Sequence, residues 1–230
     1  MTEYLQHSRV RLALHRLQES RSSDSHALLL LHGLGESSSA HPRSLYQSWP
    51  GAVYALDFTG HGDSEIPAGG GYSCEALMGD VDIVLAHLGP ITVCGRGLGA
   101  YIALLIAGAR PKKIRGAVLL DGPGLAGTCA SASPYIPQVH AAQTTTPDPF
   151  AIAELATDAR PPEYAIHFAR LAAESSDLAH PITICTREQP PWLQAVRTLL
   201  ACDASNPVKA CMSYATVPNY ATVPNIEPLP

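Results

Sequence analysis

The sequence predicts an α/β layered domain, a mostly parallel sheet flanked by helices with a small helical insertion above it. Three observations carry that prediction. Short apolar runs bounded by Gly and Pro recur along the chain, the near-pure leucine run of residues 26–32 foremost, as strands buried on both faces require. Helix-length segments with apolar residues at three- and four-residue spacing lie between them. The alternation of the two patterns implies parallel strands joined by crossover helices. At 230 residues and 24.3 kDa the chain is long enough to bury such a sheet.

Taken in order, residues 9–18 alternate loosely as a strand or half of a hairpin, and the Ser/Arg/Asp-rich stretch 19–25 reads as a turn. Strands are expected at 26–32, 52–57, 91–94, 114–121 and 181–185, and helices at 38–48, 74–88, 98–109 and 191–202. Residues 122–180 break the rhythm with Ser/Ala/Thr/Pro-rich stretches and helical patches at 151–155 and 163–173. A structureless loop of that length does not suit a compact domain, so the segment reads as a cap. The expected division is therefore a core of 1–121 and 181–230 with a cap of 122–180. Near the C-terminus, Tyr-Ala-Thr-Val-Pro-Asn occurs twice in tandem from Tyr214. Two copies are too few for a solenoid, and their Tyr and Val content suggests docking on the body or on a partner.

Composition excludes several classes. Lys plus Arg number 15 against 20 for Asp plus Glu, a net charge of −5, which provides no footprint for a nucleic-acid backbone or an anionic membrane. The apolar runs fall far short of the roughly 18 residues of a membrane span. The first residues lack a basic start followed by an apolar core, so a cytoplasmic address is expected. Six cysteines without a C-x-x-C pair suit reduced thiols, and neither a metal nor a cofactor is expected.

Three motifs carry the chemistry. His32-Gly33-Leu34-Gly35 follows the leucine-rich strand, Asp57-Phe58-Thr59-Gly60-His61-Gly62-Asp63-Ser64 follows the next, and Gly95-Arg96-Gly97-Leu98-Gly99 stands before a helix. The last is not G-x-G-x-x-G, which points away from a dinucleotide-binding loop. In order and spacing the three resemble the α/β-hydrolase family, from about residue 9 onward. The resemblance implies a strand-to-helix elbow, G-x-S-x-G, that lifts a serine nucleophile above the sheet. Here Gly97 stands at the serine position, as a residue with no side chain to attack a carbonyl.

The resemblance implies further departures. The triad acid is expected near Pro190 in Pro181-Ile182-Thr183-Ile184-Cys185-Thr186-Arg187-Glu188-Gln189-Pro190, with Asp121 after the preceding strand as an alternative acid. The late histidine falls on Thr222, and no histidine follows His180. A serine without a base stays a weak nucleophile, so the triad positions Gly97, Pro190 and Thr222 together imply a degenerate, non-catalytic member. The resemblance also implies an oxyanion hole made by the backbone N–H groups of Leu34 and Leu98, donors that do not depend on side chains. They are expected to recognise a carbonyl or carboxylate ligand in a cleft open above Gly97, with Arg96 and His32 beside it. The expected partner is thus a small molecule of that kind or a protein. An enzyme of this fold without a serine nucleophile, a lyase or isomerase using His32, His61 or Asp121 for proton transfer, is the alternative. His32, His61, Asp57 and Asp63 otherwise read as loop-shaping residues, and Cys94 as core.

Overall fold

The computed structural model describes residues 1–125, 145–157, 160–200 and 203–216. Seven strands form one sheet in the order β1-β2-β4-β3-β5-β6-β7. It opens with a hairpin, β1 (Thr2–His7) and β2 (Val10–Gln18), paired antiparallel and turned at Ser8 with a positive φ of 55°. β1 carries no apolar run because it is the sheet edge and alternates exposed with half-buried positions, which is why sequence periodicity finds only its partner. β2 pairs antiparallel with β4 (Val53–Leu56), and from there β3 (Ala27–Leu31), β5 (Ile91–Arg96), β6 (Ile114–Leu120) and β7 (Ile182–Cys185) are all parallel.

The strands bury both faces, and their alternation sorts the core into two layers. Leu29, Leu31, Val93, Ala117 and Leu119 belong to one apolar cluster, with α2 (Cys74–Leu88) and α3 (Leu98–Ala109). Leu28, Leu30, Cys94 and Val118 belong to the other, with Trp49 and Cys211. Ser73 caps α2 by accepting the Ala76 N–H, and Gly89 ends it at φ 78°.

The helix expected over 38–48 is corrected to a 3-10 turn, Ser38–Ala40, and a single turn of helix, α1 (Arg43–Tyr46). Pro42 breaks it. The residue before a proline is pushed to extended backbone, and His41 has φ −88°, ψ 119°.

Within the 122–180 segment, α4 (Pro149–Thr157) and α5 (Pro162–Ser175) are helical. The small residues Ala165, Ala169 and Ala172 are buried on α5, and a Cβ at Gly108 of α3 would stand 2.4 Å from the Phe168 carbonyl oxygen. This close crossing makes α5 part of the helical layer beside α3, together with α6 (Pro191–Leu200). α7 (Pro207–Tyr214), which the sequence reading did not mark, is capped by Asn206 and sets the Tyr214 ring against Gly116 of β6. Among the described residues no helix is long and apolar enough to cross a membrane.

Candidate functional site

Ligands of open α/β sheets bind outside the carboxyl ends of the strands, and there the three motifs converge. Gly97 is the turn between β5 and α3, with φ 57° and ψ −123°, a conformation L side chains rarely adopt. Its neighbours are glycine for clearance: a Cβ at Gly95 would lie 2.1 Å from the Gly99 carbonyl oxygen, and one at Gly99 2.5 Å from that of Leu31. The elbow the sequence implies is therefore present, with glycine at its tip.

What lies above it differs from the expected open cleft. After β6 the chain turns through Asp121, Gly122, Pro123, Gly124 and Leu125 and passes back over the elbow. The Pro123 carbonyl oxygen accepts the Leu34 N–H at 3.0 Å and the Leu98 N–H at 2.9 Å. It also stands 2.0 Å from where a Cβ on Gly97 would be. Both N–H groups are thus spent on one internal carbonyl, in the space a side chain on Gly97 would occupy. The neighbouring amides at the start of α3 are used as well, Gly97 N–H by the Leu120 carbonyl at 3.0 Å and Gly99 N–H by that of His32 at 3.1 Å. Helix N-termini attract anions through such free N–H groups, and here they are satisfied within the chain.

The strap is tied at both ends. The Asp121 carboxylate accepts the Arg187 N–H at 2.9 and 3.0 Å and the Glu188 N–H at 3.0 Å, which binds the end of β6 to the loop after β7. At the other end the buried Trp192 indole N–H donates to the Leu125 carbonyl at 2.8 Å, with its ring edge-on to Tyr101 at 5.0 Å. Pro190, the expected acid position, is buried and receives the Leu193 and Gln194 N–H groups at 2.9 and 3.0 Å, so it starts α6. Thr222 and most of the tandem repeat lie outside the described residues.

Arg96 is paired with Glu36 at 2.9 Å and donates to the Ala40 carbonyl at 3.3 Å. It lines a cleft of about 480 Å³ beside the elbow, with residues 121–125 and Glu188. Behind the cleft lie buried imidazoles. His32 is fully buried, donates from Nδ1 to the Gly33 carbonyl at 2.7 Å and accepts the Phe58 N–H at Nε2, 3.1 Å away. That fixes it as the neutral tautomer, and burial with His61 alongside lowers its pKa to about 3. Burial and the Arg96 guanidinium lower that of His41 to about 4. Burial also lowers His61, whose Nδ1 meets the Thr59 carbonyl at 3.1 Å and whose buried Nε2 has no partner among the described residues.

Asp57 is a tie rather than a reactive group. It accepts the Ser38 N–H and hydroxyl at 2.7 and 2.6 Å, the Asp63 N–H at 2.8 Å and the His15 Nε2 at 2.9 Å. Its pKa is lowered: burial alone would raise it, and the Ser38 hydroxyl and these other donors outweigh burial. Single ligand atoms of His15, Asp57 and Asp63 lie within 4.8 Å of one another, but the Asp57 oxygens already serve that hydrogen-bond set. The chain thus brings together Leu34, Gly97, Leu98, Arg96 and Asp121, with His32 buried behind them. Sequence reasoning did not find Pro123, Trp192 or Glu36. The Gly122-Pro123-Gly124 turn signature predicts a bend but not where the bend folds back.

A strand-end glycine elbow, two aligned backbone donors and this strand order define a hydrolase-type α/β architecture. The chain belongs to the alpha/beta hydrolase family, whose sequence profile matches residues 28–226. No curated protein matches it. Among solved structures it is similar to the thioesterase domain from the curacin biosynthetic pathway, with 17% identity over 94% of this chain and 98% of that one and a TM-score of 0.61. It is also similar to a bacterial membrane phospholipase A described as a virulence factor, with 17% identity, 89% and 76% coverage and a TM-score of 0.54. An epoxide hydrolase from Vigna radiata matches at 23% identity over 52% of this chain and 38% of its own, with a TM-score of 0.46. The chain thus spans well under half of that relative. At these identities the likeness is one of fold.

Proposed function

We propose that this protein is a non-catalytic member of the alpha/beta hydrolase family, without a working Ser-His-acid triad, which binds a small carbonyl or carboxylate compound at the strand ends. The observation that carries the reading is the Pro123 carbonyl seated on the Leu34 and Leu98 N–H groups directly above Gly97. A hydrolase needs that space for a nucleophile and those donors for the developing oxyanion. Glycine supplies no nucleophile, and among the described residues Asp121 is engaged with backbone amides rather than with an imidazole. The shallow, open cleft lined by Arg96, Asp121 and Glu188 lies beside the elbow and gives a small polar ligand access to the strand ends.

The expected result with a fluorophosphonate probe is no covalent adduct on any serine of the folded protein, read by intact-protein mass spectrometry. Stoichiometric labelling of one serine, abolished by prior heat denaturation, overturns the proposal.

A further inference from the structure

We propose that the Asp121–Leu125 strap is a built-in competitor for the carbonyl site, and that a ligand carbonyl enters only by displacing the Pro123 oxygen from the Leu34 and Leu98 N–H groups. The inference rests on the non-catalytic reading above and adds how the site is gated. The Pro123 oxygen is placed as a bound acyl oxygen would be, 3.0 and 2.9 Å from the two donors, while the residue itself is exposed. Pro123 is exposed while Leu125 at the end of the strap is buried in the core, so the lift is confined to the Gly122–Gly124 turn and leaves Leu125 seated.

The strap fits its seat closely. A Cβ on Gly124, at φ 79°, would meet the Leu34 Cβ at 2.7 Å and the Leu98 Cβ at 3.2 Å, and a Cβ on Gly33 would meet the Pro123 oxygen and Cδ at 2.9 Å. What holds it down lies at its ends: Asp121 on the Arg187 and Glu188 amides, and the Trp192 indole on the Leu125 carbonyl. Trp192 and Asp121 are therefore positioning residues of the latch. A site competent in only a fraction of molecules shows an apparent affinity reduced by that fraction, and loosening the latch removes the reduction.

The test follows amide hydrogen exchange of Leu34 and Leu98 by NMR and titrates with hexanoate and, separately, N-methylhexanamide, so that a carboxylate and a neutral carbonyl are compared. In the parent protein both amides are expected to exchange at least a hundredfold slower than unstructured amides. Gly124→Ala, which wedges the strap away from Leu34, should speed these two at least tenfold while leaving the α2 amides unchanged, and tighten at least one probe tenfold or more. Trp192→Phe keeps an aromatic ring against Tyr101 while removing the donor to Leu125 together with part of the buried indole, so it carries the test should Gly124→Ala fail to fold. Unprotected Leu34 and Leu98 amides in the parent overturn the proposal. So do latch variants that expose both amides yet leave both probe affinities unchanged. Serine labelling by a fluorophosphonate would instead overturn the non-catalytic reading and leave the exchange result standing.

Discussion

Gly97→Ser is expected to melt roughly 6–12 °C below the parent and to hydrolyse p-nitrophenyl acetate no faster than buffer. The stability loss has two sources. A side chain at φ 57° costs about 1–2 kcal/mol. Its Cβ also claims the place of the Pro123 oxygen, 2.0 Å away, and so displaces a carbonyl with two hydrogen bonds of about 1 kcal/mol each. The sum of about 3 kcal/mol converts at roughly 2–4 °C per kcal/mol for a domain of this size. Activity stays absent because a serine hydroxyl needs a base: both ring nitrogens of the buried His32 are already hydrogen-bonded, and the fully buried His61 ring is packed against His32, 5.1 Å away. A variant that melts with the parent and turns over the ester as a competent esterase would place a base in reach of the elbow and remove Pro123 from it.

The second large effect is loss of stability in mild acid. His26, His32 and His41 are buried and neutral, with pKa values lowered to about 4, 3 and 4. For His26, burial dominates, with the Arg115 guanidinium adding to it. The unfolded chain takes up protons on these rings below about pH 6.5 and the native state does not, so the stability present above that pH is lost as pH falls toward the native values. Each contributes nearly 2 kcal/mol between pH 7 and pH 5, on the order of 6 kcal/mol together, and His61 acts in the same direction. His7 runs the other way: the Asp80 carboxylate, hydrogen-bonded at 2.6 Å, raises its pKa. Its contribution is full below pH 6.5 and fades as pH rises through the raised value. Urea unfolding at pH 7 and pH 5 reads the balance. A midpoint that collapses by pH 5 is expected, and equal midpoints would mean that these imidazoles titrate freely in the native state.

The parallel core was legible because its strands are buried on both faces and its helices repeat at helical spacing; Cys74–Leu88 and Leu98–Ala109 fall where that spacing put them. The edge strand Thr2–His7 was not, since an edge exposes too much of itself to leave an apolar run. At 38–48, helical spacing was read through Pro42, whose ring decides the local backbone against the helix. The elbow at Gly97 could be placed from glycine spacing because that turn is dictated locally, while Leu34 and Leu98 were pointed to only by the family resemblance. Their occupant could not. Pro123 reaches Leu34 across a separation in sequence that no local pattern reports, and the contact depends on Asp121 and Trp192 anchoring a strap between β6 and α6. The pairing of Arg96 with Glu36 was hidden for the same reason.

Pre-steady-state kinetics show whether the elbow of this alpha/beta hydrolase family member performs acyl transfer. Micromolar protein is mixed with excess p-nitrophenyl acetate and release of p-nitrophenolate is followed from the first milliseconds. The expected trace shows no burst and a linear rate equal to that of the Gly97→Ser variant and of buffer. A burst approaching one equivalent per chain, followed by slower turnover, would show an acyl-enzyme and contradict it.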